Sequence, residues 1–409
     1  MIKKYLDFEE ARRISLEMAR INTFKEIISL ENSLGRVISQ DIICQKNLPS
    51  FNNSAMDGFA IKFCEAANTL LIKETIFAGQ TSKKKLKENE CYKIMTGAKV
   101  PNDADTIVPI EDVLVLGNSI KIKKEIKKGS CLRLKGEEQK VGNILYKKGE
   151  SITASMVAVL ASQGMTMIKV TKALSIAIVS TGDEIKEPWE HASEDEIYNC
   201  NSFALLCQLK EKGFSATYTG VIPDNLEESE EFIKNLKSYD VIITSGGISM
   251  GDADFVGQAF LNNGLEIFFH GVNVKPGRPI MMGKLNATYV MCLPGNPLTA
   301  MVNLHLFVLP VLYKLQGNNN IYHDYESAVN QEAFNVKKGR VNLVLGWLEK
   351  SEFTVSQKNK YGSGMISVLG ESNAILVSNT SSEHFLANNS VKVIRFSCSF
   401  LNEQINIFN

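Results

Sequence analysis

The sequence predicts a multidomain α/β protein organised around an open, doubly wound sheet. Three observations carry this. At 409 residues the chain has room for about two to four domains. Between residues 172 and 316, buried-type strands alternate with helical stretches at the spacing of parallel βαβ units. On either side, residues 70–139 and 317–409 break into short β-type runs separated by turn residues, the grammar of small β-rich domains.

Composition narrows the function classes. Lys plus Arg (45) balance Asp plus Glu (45), so no global basic field recruits nucleic acid or anionic lipid, and any anion affinity is local. Eight cysteines (Cys44, Cys64, Cys91, Cys131, Cys200, Cys207, Cys292 and Cys398) form no C-x-x-C pair, and the five histidines are widely spaced. Reduced core thiols of a cytoplasmic protein fit better than a zinc site or a secreted disulfide framework. Met1 to Asp7 do not read as a signal peptide, and no run reads as long and apolar enough to span a bilayer. The expected setting is cytoplasmic, with no membrane and no nucleic acid.

In chain order, Asp7 with Glu10 reads as a capping box ahead of Ala11, Ile14, Met18 and Ile21 at helical spacing. Residues 34–38 and 41–43 begin a β-type region leading into residues 48–61. There Phe51, Met56 and Phe59 interleave with Asn52, Asn53, Ser54 and Asp57, which favours a packed binding loop over a plain turn. Thr96-Gly-Ala follows a strand directly, and Arg133, Gly136, Glu137 and Glu138 form a second polar cluster. The lysine runs at 83–85 and 121–128 read as solvated faces. Residues 154–164 read as a helix stopped by Gly164.

The α/β half reads as strands over 173–179, 216–222, 239–244, 265–272 and 289–293, with helices over 202–212, 226–237, 255–262 and 298–315. Ligands of such sheets sit at the carboxyl ends of the strands. Thr181-Gly-Asp-Glu184, Asp224 and Ser245-Gly-Gly all fall there. The stretch 244–254 reads either as a tight turn with a capping aspartate or as an anion-and-metal loop. In the second reading Gly246 and Gly247 aim amides at a ligand and Asp252 and Asp254 face it. Lys275-Pro-Gly-Arg-Pro279 sets two cations on a stiff turn suited to an oxyanion. Asn296 and Pro297 read as the cap and first position of a helix whose N-terminus meets the same edge. Beyond the polar linker at 317–320, Arg340 and residues 361–365 read, on their own, as structural.

No P-loop and no G-x-G-x-x-G motif is present. The motifs that are present are Asn53-Ser-Ala-Met-Asp-Gly, Ile94-Met-Thr-Gly-Ala, Ser180-Thr-Gly-Asp-Glu, Thr244-Ser-Gly-Gly-Ile-Ser-Met-Gly, Lys275-Pro-Gly-Arg-Pro, Leu293-Pro-Gly-Asn-Pro, Gly339-Arg and Gly362-Ser-Gly. In this order, spread over nearly the whole chain, the set resembles the MoeA family of molybdenum insertases, which includes the gephyrin E domain. The resemblance implies an elongated N-terminal, dimerising domain from residues 1–45 and 140–170, and a β-rich insertion at 46–139. It implies a molybdopterin-binding α/β domain at 171–316 and a small β-barrel-like domain at 317–409. It further implies a homodimer whose active site lies near the α/β domain of one subunit and the insertion of the other.

The implied chemistry is insertion of molybdate into adenylylated molybdopterin, with Mg²⁺-dependent cleavage that releases AMP. The molybdopterin adenylyltransferase and cofactor-accepting proteins are the implied partners. Under this resemblance Glu184, Asp224 and Asp254 handle Mg²⁺ and pyrophosphate, and Asp57 and Glu138 are further catalytic carboxylates. Thr96, Thr181, Gly182, Ser245, Gly246, Gly247, Lys275, Pro294, Gly295 and Asn296 bind the molybdopterin and its phosphates. Arg278, Arg340 and Ser363 surround molybdate, which reverses the structural reading of the last two. The chain departs from the family pattern at Asn52 and Glu138 (usually Asp), at Gly271 (commonly Lys) and at Arg278 (usually Lys). Asn52 and Gly271 motivate an alternative, a non-catalytic or divergent molybdopterin-binding scaffold paralogue.

Overall fold

A computed structural model describes residues 4–80, 82–247, 255–396, 400–401 and 403–408. The chain divides into two compact units, one of Met1–Gln40, Gly149–Val157 and Thr166–Asn409, the other of Asp41–Lys148 and Ala158–Met165.

The first unit is built on a seven-stranded sheet. Its order is Lys4–Leu6, Leu265–Val272, Met281–Leu285, Thr288–Leu293, Val241–Ser245, Ile176–Thr181, Ala216–Ile222. Strand periodicity explains why the central members are apolar throughout. Val241 and Ile243 enter one core and Ile242 the other; Ile176 and Ile178 oppose Ala177 and Val179 in the same way. A strand covered on both faces has no polar side to show, and each such fully buried Ile or Val contributes about 1.5–3 kcal/mol. The flanking helix Leu226–Leu236 starts where Asn225 accepts from the amides of Glu227 (3.0 Å) and Glu228 (3.2 Å), and it buries Ile233 and Leu236 against the sheet.

Four features differ from the sequence reading. The sheet is mixed, because Met281–Leu285 runs antiparallel to both neighbours. Only Asn286 (φ +57°) and Ala287 join it to Thr288–Leu293, and so short a connection returns antiparallel. The N-terminal residues Lys4–Leu6 add an edge strand parallel to Leu265–Val272. The first helix, Phe8–Met18, is capped by Asp7 through the Glu9 amide (2.9 Å) and ends before Ile21, which is 51% exposed. The long helix expected over 298–315 is Pro297–Asn303 and Leu309–Leu315 joined by a π-helical turn at Leu304–Val308. Pro310 has no N–H for the carbonyl one turn back, and the wider turn just precedes it. This 19-residue stretch is, by length and composition, long and apolar enough to cross a membrane, contrary to the sequence reading; it is 83% buried within the protein, as a core helix is.

The same unit ends in a closed barrel. Val341–Glu349 pairs with Glu352–Val355, which pairs with Glu326–Asn330, then Ser390–Arg395, then Ala374–Val377, which returns to Val341–Glu349. The two-residue strand Val274–Lys275 runs parallel to the barrel at Val341 and Asn342, so the cationic turn begins hydrogen-bonded to the barrel wall.

The second unit carries a six-stranded sheet in the order Thr106–Pro109, Gly58–Ile61, Glu90–Ile94, Leu70–Ile76, Ser119–Ile122, Val113–Leu116. Ala60, Tyr92, Ile94 and Ile107 fill one face; Phe59, Ile61, Cys91 and Val108 fill the other.

Candidate functional site

The carboxyl ends of the parallel strands form a tight cradle. Gly182 (φ +125°), Gly246 (φ +93°) and Gly247 (φ +62°) follow the strands Ile176–Thr181 and Val241–Ser245. A Cβ on Gly246 would sit 2.4 Å from Thr181 Oγ1, so both conformation and space require glycine there. Thr181 Oγ1 donates to the Ser245 carbonyl (3.4 Å), and Thr244 Oγ1 to that of Gly246 (3.1 Å). Asn201, at the start of the helix Asn201–Glu211, donates from Nδ2 to Ser245 Oγ (2.6 Å) and to the Gly295 carbonyl (2.6 Å). The α carbon of Gly246 lies 3.8 Å from where a Cβ on Gly295 would be. Thr181, Gly182, Ser245, Gly246, Gly247 and Gly295 are therefore together, clamped by an asparagine the sequence did not single out.

Two expectations about this edge need correction. The Gly246 amide donates to the Leu293 carbonyl (3.0 Å), so it is not aimed at a ligand; the Gly247 amide has no acceptor among the described residues. Asn296 makes no side-chain cap for Pro297–Asn303; its Nδ2 instead donates to Ser363 Oγ (2.9 Å). That bond ties the sheet edge to the loop after Tyr361.

Beside it lies a cavity of about 670 Å³, lined by Lys275, Arg278, Pro294, Asn296, Lys337, Arg340, Asn342, Tyr361, Gly362 and Ser363 among others. Among the described residues four cations and no carboxylate line it, and none of the four is ion-paired. Such a concentration of uncompensated positive charge favours an anion. Its parts are held from outside. Asn303 Nδ2 donates to the Gly277 carbonyl (2.9 Å), and a Cβ on Gly277 would meet Asn303 Oδ1 at 2.7 Å, which fixes the turn between the two cations. Asn342 Nδ2 donates to the carbonyls of Lys337 (2.9 Å) and Arg340 (3.1 Å), ordering the loop that presents them. Gln357, Lys358 and Asn359 are consecutively left-handed (φ +46°, +52°, +58°) just before the Tyr361–Ser363 wall, a concentration of backbone strain beside the cavity. Tyr361 accepts from the Leu345 amide (2.7 Å), and burial pushes its phenol up to about 12, so it stays neutral. Asn201, Asn342 and Lys337 were not picked out from sequence, because their partners are distant in the chain.

In the second unit the Asp57 loop is organised locally. Asp57 Oδ1 accepts from Thr96 Oγ1 (2.6 Å) and from the Thr96 amide (2.7 Å). The Thr96 hydroxyl, then its amide, hold this exposed carboxyl below the usual range. A Cβ on the following Gly58 would lie 2.1 Å from the Val108 carbonyl. Asn52 Oδ1 accepts from the Lys135 amide (2.8 Å), and the Glu138 amide donates to the Leu48 carbonyl (3.0 Å), drawing residues 48–54 and 132–138 together. The side chains of Thr96 and Glu138 are exposed.

Glu184 and Asp224 are both exposed, and neither carboxylate has a partner among the described residues. Glu184 folds back on its own turn: a Cβ on Gly182 would be 2.6 Å from Oε2. Asp252 and Asp254 lie outside the described residues. Among the described residues no group of three or more His, Cys, Asp or Glu is placed to hold a metal.

Fold and cavity together define an α/β protein with a cation-lined cavity, a barrel wall and a β-rich second unit. Three family descriptions match successive parts of the chain: MoeA N-terminal region (domain I and II) at residues 6–164, a probable molybdopterin binding domain at 177–314, and MoeA C-terminal region (domain IV) at 327–396. A molybdopterin molybdenumtransferase of Haemophilus influenzae is 32% identical over 382 residues, 91% of this chain and 94% of its own length. One from Staphylococcus epidermidis is 30% identical over 407 residues, 97% of each chain. The crystal structure of the molybdopterin biosynthesis MoeA protein of Pyrococcus horikoshii OT3 superposes with a TM-score of 0.84 at 26% identity, covering 96% of this chain and 100% of that one. The chain belongs to the MoeA family.

Proposed function

We propose that this protein is a molybdopterin molybdotransferase of molybdenum cofactor biosynthesis, which inserts molybdate into adenylylated molybdopterin and releases AMP. The observation that carries the reading, beside family membership, is the 670 Å³ cavity with Lys275, Arg278, Lys337 and Arg340 and, among the described residues, no carboxylate. Molybdate is a dianionic oxyanion, and each charge-assisted hydrogen bond from such a cation contributes about 1.5–3 kcal/mol. Arg278 and Arg340 hold its oxygens, with Ser363 oriented by Asn296. Lys275 and the Thr181, Ser245 and Gly247 cradle hold the phosphate end of the pterin substrate, and Pro294, Gly295 and Asn296 connect the two.

Glu184 and Asp224 offer the hard oxygen donors that Mg²⁺ takes, and Asp254 completes the set in this reading. Bound there, Mg²⁺ would neutralise charge on the pyrophosphate that is cleaved. Asp57, kept ionised by Thr96, and Glu138 supply carboxylates from the second unit, which the family resemblance brings to a partner subunit's cavity in a homodimer. The four-part domain division and a cytoplasmic location belong to the same proposal. Purified protein given adenylylated molybdopterin, molybdate and Mg²⁺ should release AMP; release no greater than with the metal chelated would refute the activity.

A further inference from the structure

The edge strand Lys4–Leu6 does more than extend the sheet. It pairs with Leu265–Val272 so that Lys4 faces His270 and Leu6 faces Val272, which sets Tyr5 beside Gly271. Tyr5 has φ +54°, a left-handed conformation that bulky residues rarely adopt, within a strand. Its ring lies across Gly271: a Cβ there would sit 2.7 Å from Cδ1 and 3.0 Å from Cε1, so glycine is what admits the ring. Gly271 itself has φ +88°. On the ring rests the guanidinium of Arg278, with Cζ 3.8 Å from the centroid. The Val272 amide donates to the Arg278 carbonyl (2.9 Å), so the backbone under that arginine is anchored at the same point. Tyr5 is 55% exposed, so apolar burial does not explain the ring's placement.

We propose that Tyr5 is a positioning residue for oxyanion binding, holding the Arg278 guanidinium over its ring face so that the N–H edges stay presented to the cavity. An unrestrained exposed arginine samples many rotamers and loses that freedom on binding; stacking removes the loss beforehand. Gly271 is then the space that the Tyr5–Arg278 pair needs. The inference rests on the reading of the cavity as a molybdate site.

The test is steady-state AMP release with molybdate varied, together with the NMR resonance of the Arg278 Nε–H, which a stacked ring shifts whether or not ligand is bound. Tyr5→Phe should keep both the shift and the KM for molybdate, within about twofold. Tyr5→Leu, which keeps apolar bulk without the ring, should abolish the shift and raise KM by about 3- to 30-fold, with kcat within about threefold. In an Arg278→Ala background Tyr5→Leu should change nothing further. An Nε–H shift untouched by Tyr5→Leu, equal damage from Phe and Leu, or additive effects in the double variant would overturn the proposal. A lost shift with KM unchanged in both Arg278→Ala and Tyr5→Leu would instead show that Arg278 does not meet molybdate, and the positioning role would fall with that reading.

Discussion

The strand-end cradle and the cation cavity adjoin in one unit, yet they are built in opposite ways. The cradle is made of backbone and small groups: Gly246 packs against Thr181 Oγ1, and Asn201 clamps Ser245 to Gly295. It has little side-chain freedom to lose, and its specificity is one of shape. The cavity is made of long cations from the turn at 275–278 and the barrel loop at 337–340, each held in place from behind by an asparagine. Its specificity is one of charge. Backbone donors suit a phosphate fixed throughout the reaction, whereas side-chain cations suit an incoming oxyanion.

The contrast separates the two under mutation. Arg340→Ala should weaken molybdate binding, measured by calorimetry, by roughly 10- to 150-fold, the equivalent of one charge-assisted bond, while affinity for adenylylated molybdopterin stays within about twofold. Equal loss of both ligands would mean that the two regions are one site. Gly246→Ala should do the reverse. The new methyl group would meet Thr181 Oγ1 at 2.4 Å in a left-handed backbone, costing about 1–3 kcal/mol, seen as a lower Tm and weaker pterin binding with molybdate affinity kept.

The smallest effect at neutral pH concerns the scaffold that both regions share. His305, on the π-helical turn, and His323 are buried with ring centroids 5.1 Å apart, and His323 Nε2 lies 2.9 Å from the His305 carbonyl. Burial, aided by Lys212, lowers His305 to about 3; burial, then His305 and Arg12, lowers His323 well below its ordinary value. Their folded pKa values lie below the unfolded value of 6.5, so the unfolded chain binds the extra protons. The stability they contribute is complete above pH 6.5 and is lost as pH falls from there towards 3. Denaturation midpoints should fall across that window, with cradle and cavity lost together. A flat profile, or one ligand lost well before the other, would contradict the shared scaffold.

The two regions were also unequally legible in the sequence. The cradle's glycines stand directly after apolar strands, so local pattern and βαβ spacing located them. The cationic turn was visible for the same reason. Arg340 and Ser363 looked structural until the family resemblance drew them in, because a cavity wall gathers residues far apart in the chain. Asn201 could not be read as a clamp when its partners lie 44 and 94 residues away. Asn296 stands at the cap position with Pro297 first in the helix, as the local rule expects, but its side chain is drawn instead into a longer-range bond, to Ser363 67 residues on. Asn52 shows the converse: its carbonyl oxygen has a structural task, accepting the Lys135 amide, that its place in the family pattern alone did not disclose.

The central claim is that the cation cavity is where molybdate docks, and crystals soaked in molybdate test it most directly. An anomalous difference map should show molybdenum in the cavity within reach of Arg278, Arg340 and Ser363, and the peak should vanish in Arg340→Ala. Molybdenum bound only elsewhere, or a cavity peak undiminished by that substitution, would contradict the account.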